Sequence, residues 1–193
     1  MSGGAARLRR AGDRGWLIEC PGRRPAELAL AIRAASWPER LREVVPAATT
    51  VLVVAERAAA MDRLAARLTA FLDGDGDRDG DGDGDGNGIR RAPPPAPRTV
   101  VIPVRYEGAD LDAVAARAGL TRAEVIRRHT GGAHTVAFFG FAPGFAYLDG
   151  LPEPLRLPRL DSPRERVPAG VVAIAGNQTV VYPGGTPGGW HQI

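Results

Sequence analysis

The sequence predicts an α+β chain in two parts, and three observations carry this reading. Apolar runs of strand length (TTVLVVA at 49–55, TVVIPVR at 99–105, GVVAIA at 170–175) are interleaved with helical periodicity at 25–35 and 56–72. A stretch without a single apolar residue, 73–88, divides the chain. Beyond residue 106 the texture changes to short strands among Gly- and Pro-rich loops.

Taken in order, GWLIEC (15–20) is a short strand. PAELALAIRAA (25–35) is a helix with Pro25 in its first turn, where a missing N–H costs nothing, and with Leu28, Ile32 and Ala35 on one face. Strands follow at 41–45 and 49–55. A long amphipathic helix over 56–72 then presents Met61, Leu64, Leu68 and Leu72 together. Residues 99–105 form a further strand, at an edge because Pro103 lacks a donor. The order β-α-β-β-α-β is the ferredoxin-like split βαβ. The N-terminal α+β domain is therefore expected over 1–72, with its last strand at 99–105. In the second part, Asp110 begins a helix that stops near Gly119, and Thr121 with Glu124 forms a capping box for another helix through His129. Strands at 134–139, 170–175 and 178–182 complete a small β-barrel or β-rich domain with two helices, expected over 106–193.

Residues 73–88 hold seven Asp and seven Gly, with one Arg and one Asn, and four prolines follow between 93 and 97. Such a segment cannot offset its ordering entropy by burial, so 73–98 is expected to be a disordered linker or insertion. Its D-x-D-x-D-G spacing lacks the distal Glu and flanking helices of a calcium loop. No pair of carboxylates elsewhere has convincing metal spacing, and no metal is expected.

Composition excludes several chemistries. Of 193 residues, 25 are Lys or Arg and 22 Asp or Glu, for a net charge of +3. Every one of the basic residues is Arg, which excludes a P-loop lysine and a Schiff-base lysine within this chain. A single cysteine, Cys20, excludes an internal disulfide framework and a multi-cysteine zinc site. The arginines form no dense run with interleaved aromatics, so nucleic acid is not an expected partner. No window approaches the roughly 18 apolar residues of a membrane span, and the expected location is the cytoplasm.

Chemistry concentrates in 138–193. FFGFAPGFAYLDGLP places Phe139, Phe141, Phe145 and Tyr147 around Gly140, Pro143 and Gly144. So many aromatics in a turn-rich stretch either line a pocket or interface or fill the mouth of a barrel. Arg159, Arg164 and Arg166 are either anion-recognising forks or solvated charge. Asn177, Gln178 and Thr179 stand at a strand-to-strand turn, where Asn177 and Gln178 either hold an amide or carboxylate or cap backbone. Tyr182 leads into Gly188, Gly189 and Trp190. His129 is either an acid–base group or a cation at a helix C-terminus. The residues expected to carry catalysis are His129, Arg166 and Gln178; the others are expected to bind substrate or an anion.

GFAPGFAYL (140–148), RVPAGVVAIAGNQTVVYP (166–183) and PGGW (187–190) closely resemble the family containing the B subunit of bacterial 5-oxoprolinase, the KipI-type kinase inhibitors and allophanate hydrolase subunit 1. They also resemble half of the carboxyltransferase domain of urea carboxylase. The resemblance covers nearly the whole chain outside 73–98, although Tyr106-Glu107-Gly108 replaces the usual Tyr-Gly-Gly. It implies a cyclophilin-like β-barrel as the second domain and a groove shared with a homologous C subunit. It further implies an A subunit and ATP-dependent opening of the 5-oxoproline lactam to glutamate, the isolated chain being inactive. Charge building on oxygen in that reaction calls for Arg and N–H donors. The KipI-type alternative is docking on a sensor histidine kinase; the other is an allophanate hydrolase or urea carboxylase-related carboxyltransferase subunit. The family continues with further strands beyond GGW, whereas this chain stops at Ile193, so the barrel is expected to be incomplete at its C-terminal end.

Overall fold

A computed structural model describes residues 7–74 and 96–193. Most of the expected linker, 75–95, lies outside the described residues. The chain divides into two compact units, residues 1–98 and 99–193, each with its own core.

In the first unit, β1 (Arg7–Ala11) and β2 (Gly15–Glu19) form a hairpin that turns at Gly12, whose φ of +69° a glycine adopts without strain. Helix α1 (Pro25–Ala34) leads to β3 (Leu41–Pro46) and β4 (Thr50–Ala55), and α2 (Met61–Asp73) closes the unit. The sheet is antiparallel throughout, in the order β1-β2-β4-β3. Along β4 the residues alternate, with Val51, Val53 and Ala55 fully buried, as the period of two requires when one face meets the core. Leu28 and Ile32 of α1 and Leu64, Leu68 and Phe71 of α2 belong to that core.

One expected strand is corrected. Residues 99–105 form no strand, and Val100, Val101 and Ile102 are exposed. The place beside β2 is held instead by β1, RLRRA. An edge strand is bonded on one side only and tolerates charge, so arginine-rich residues with little apolar alternation can occupy it. Pro103 removes a donor from the competing segment.

The second unit begins with α3 (Leu111–Ala118), stopped by Gly119 in the left-handed region at φ +65°, and α4 (Arg122–Thr130). The capping box of α4 is complete: Thr121 Oγ1 accepts from the Glu124 N–H at 3.2 Å, and Glu124 Oε2 accepts from the Thr121 N–H at 2.8 Å. Seven strands follow: β5 (Thr135–Phe139), β6 (Ala146–Asp149), β7 (Arg164–Val167), β8 (Val172–Ala175), β9 (Gln178–Val181), β10 (Thr186–Gly188) and β11 (His191–Gln192). They make a five-stranded antiparallel sheet, β11-β8-β9-β6-β5, and a separate pair, β10-β7. Among the described residues these sheets do not close into a barrel.

All four residues of β8 are buried, because both faces of this sheet are covered. Val172 and Ile174 join Leu111, Val114, Val125, Leu151 and Leu155 in one core. Ala173 and Ala175, pointing the other way, join Phe145, Val167, Val180, Tyr182 and Trp190 in another. The sheet thus separates a helix-covered core from an aromatic one.

Candidate functional site

The aromatic core is built from β6, β9 and the loops that follow β5 and β10. Phe145 and Tyr182 are 2% and 1% exposed. Phe145 meets Tyr182 edge-on at 5.1 Å between ring centres, and it also meets Tyr147 at 5.1 Å. Tyr147 stacks on Phe138 at 4.3 Å and meets Trp190 at 5.9 Å. These offset and edge-on contacts suit the ring quadrupoles. Phe141 lies at the outer end, 65% exposed and edge-on to Phe145 at 5.3 Å. Its φ of +66° is a left-handed conformation that a bulky residue enters only against a steric cost. Gly140 and Gly144 shape the same turn: the Gly140 N–H donates to the Phe145 carbonyl, and Gly144 has φ +76° beside Pro183. Phe139 and Pro143 are exposed.

Three predicted arginines line the strand that leads to Trp190, in three different settings. Arg159 is exposed, and its guanidinium carbon lies 5.5 Å from the Trp190 ring centre, within cation–π range. Arg164 Nη2 donates to Asp110 Oδ1 at 2.6 Å, while the buried Nη1 has no acceptor. Arg166 is exposed and lies against Gly185, where an added Cβ would come within 2.9 Å of its Nε. Gly188 is required for a related reason: a Cβ there would overlap the Tyr182 hydroxyl. Burial raises the pKa of Tyr182, and the neighbouring Tyr147 phenol raises it further, whereas Arg159 and Arg164 act in the opposite direction. Gly189 accepts through its carbonyl from the Leu160 N–H at 2.8 Å, which holds the arginine-bearing loop to this strand.

The predicted catalytic trio is not brought together. His129 lies on the helical side of the sheet, 5% exposed. Its Nδ1 is 2.7 Å from the Tyr106 hydroxyl, and its Nε2 is 3.0 Å from Oγ1 of Thr179. In a neutral ring one nitrogen donates and the other accepts, and a hydroxyl serves either role, so both bonds are satisfied without a charge. His134 packs 4.6 Å away, and its Nε2 lies 2.8 Å from the His129 carbonyl. Burial, followed by the adjacent His134, lowers the pKa of His129 from 6.5 to about 4. His129 is therefore neutral near pH 7, in keeping with its two hydroxyl partners. Thr179, expected to bind ligand, is 2% exposed and holds His129 instead. Gln178 donates from Nε2 to Asp149 Oδ1 at 3.0 Å across the β6–β9 pair. Asn177 is exposed in the turn after Gly176. Phe145 packs among aromatic rings, Arg166 lies against Gly185 and Gln178 is bonded to Asp149, three separate settings. Cavities of about 660 and 670 Å³ lie in the first unit around Glu39 and Arg40, and no predicted site residue lines either.

Some participants were not anticipated. Phe138 stacks on Tyr147, yet FF reads equally well with either phenylalanine inward. Asp110, the residue preceding α3, accepts from Arg164 on Oδ1 and from the Gln192 N–H on Oδ2, partners 54 and 82 residues away. No local sequence signal marks such partners. Among the described residues no group of three or more His, Cys, Asp or Glu could hold a metal, and no helix is long and apolar enough to cross a membrane.

Residues 6–193 match the family described as carboxyltransferase domain, subdomain C and D. The chain belongs to this family. It is 51% identical over 102 residues to the 5-oxoprolinase B subunit of Escherichia coli O157:H7, a match covering 51% of this chain and 47% of that protein. With the 5-oxoprolinase B subunit of Bacillus subtilis (strain 168) it shares 50% identity over 99 residues, covering 50% of this chain and 41% of the relative. Each match thus spans less than half the length of the curated relative. A crystal structure of TTHA0988 superimposes with a TM-score of 0.69 at 34% identity, over 93% of this chain and 34% of that one. This carboxyltransferase-domain chain therefore combines its family's fold with an aromatic core whose rim is cationic.

Proposed function

We propose that this carboxyltransferase-domain chain supplies the B-subunit part of an ATP-dependent 5-oxoprolinase, which opens 5-oxoproline to glutamate together with a homologous C subunit and an A subunit in the cytoplasm. The observation that carries the reading is the identity of about half the matched residues with two bacterial 5-oxoprolinase B subunits. The lactam is a poor electrophile. ATP serves as phosphoryl donor to the complex, and the developing negative charge on oxygen needs fixed positive partners. The exposed guanidiniums of Arg159, over the Trp190 ring, and of Arg166, against Gly185, are side chains of the required type. The reading assigns the opposite wall of the groove to the partner. Under the same reading the first unit is ferredoxin-like, supported by the antiparallel β2-β4-β3 arrangement with two helices, and residues 106–193 are the cyclophilin-like part.

The test is 5-oxoproline-dependent ADP release by the chain alone and by the chain co-purified with its C and A partners. The expected result is turnover by the complex and none by the isolated chain. Turnover by the chain alone would refute the shared wall, and its absence from the assembled complex would refute the oxoprolinase reading.

A further inference from the structure

The three arginines of the β7 region follow a single track. Arg164 and Arg166 are two residues apart on β7, in the stretch where its register against β10 shifts between Arg164 and Val167. Across the β7–β10 pair, Arg164 stands opposite Gly188, and Arg166 lies against Gly185. Two residues beyond Gly188, Arg159 covers Trp190. Arginines therefore accompany this strand at 185, 188 and 190; a Cβ at Gly185 would meet the Arg166 guanidinium, whereas one at Gly188 would overlap the Tyr182 hydroxyl. Few acidic groups neutralise the track. Asp110 takes one nitrogen of Arg164, whereas the exposed Asp161 and Glu165 form no ion pair with these arginines among the described residues. Elsewhere in the unit, Arg105, Arg122 and Arg127 all have carboxylate partners. Arg164 also retains a buried donor without an acceptor, an arrangement that is costly unless an acceptor completes it.

We infer that the strand from Gly185 to Trp190, with Arg159, Arg164 and Arg166 along it, is an oxyanion-binding strip that takes a carboxylate or phosphate group of the ligand. Guanidinium forks match either group bidentately. The Trp190 ring beneath Arg159 limits its rotamers, so less freedom is lost when the anion arrives. This inference deepens the proposed function by naming where an anionic substrate group or a nucleotide phosphate sits, and its test does not depend on turnover.

The test is calorimetric titration of the full chain with 5-oxoproline in one arm and inorganic pyrophosphate in the other. Binding of either probe, weakened by added salt, is expected; the arm that binds identifies carboxylate or phosphate as the preferred group. Arg159→Ala and Arg166→Ala should each weaken that binding about tenfold, the loss expected for one charge-assisted contact, while Arg117→Ala on α3 should leave it unchanged. Thermal melts establish that the variants are folded. If an alanine variant unfolds, Arg159→Lys and Arg166→Lys, which keep the charge and lose the fork, should show a smaller loss in the same direction. Failure of both probes to bind the wild-type chain at millimolar concentration overturns the inference, as does wild-type affinity in both arginine variants. An inactive complex containing a chain that still binds the probe would instead count against the oxoprolinase reading alone.

Discussion

The two faces of the five-stranded sheet differ in what they do with polar groups. On the helical face, His129, Thr179 and Tyr106 satisfy one another, and the imidazole is enclosed. On the opposite face, aromatic rings carry the packing and guanidiniums remain at the rim with few partners. The residue whose type most favours proton transfer thus lies in the closed network, while Arg159 stays exposed over Trp190 on the other face. Residue type alone does not locate chemistry; the hydrogen-bond inventory around each group does.

The largest expected effect tests whether the aromatic face is a true core. Phe145→Ala should cost about 3–5 kcal/mol, the range for removing a fully buried ring, measured by urea denaturation. A loss below 1 kcal/mol would show that the face collapses easily and is not jigsaw-packed. Next comes the pH response of the helical face. An unfolded histidine titrates near 6.5 and His129 near 4, so below 6.5 the unfolded chain binds a proton that the native chain refuses. The associated stability is complete above 6.5, declines between 6.5 and 4, and levels off below 4, a loss of about 3 kcal/mol. His129→Asn should flatten that portion of the stability–pH curve; parallel curves for the two proteins would remove His129 as its source. The smallest of the three is Gly188→Ala. The new methyl displaces the Tyr182 hydroxyl, for an overpacking cost of about 1–3 kcal/mol. Restoration of stability in the double variant with Tyr182→Phe would attribute the cost to that contact, and an unchanged deficit would place it in the backbone.

Much of the fold was legible because its signals are local. The α4 capping box, the Leu and Met spacing of α2 and the alternation of β4 each depend on a few neighbouring residues. Where partner choice decides, local reading failed. TVVIPVR has the better strand composition, yet RLRRA occupies the edge because a hairpin with β2 closes over only a short loop. The same limit applied at the site. The aromatic residues between 139 and 147 were recognisable by type and density. That Arg164 is tied to Asp110, that Gln178 is tied to Asp149, and that His129 is sealed beneath β9 depends on contacts spanning 29 to 54 residues. Nothing in the spacing of the sequence encodes those distances.

The double enclosure of β8 has a consequence for divergence. Its outward alternation gives Val172 and Ile174 to one side and Ala173 and Ala175 to the other, so the backbone acts as a partition with separate tenants. A lineage can remodel the rings and guanidiniums on one side while the imidazole lock keeps the far side in register, and ligand preference can drift within this family without redrawing its frame.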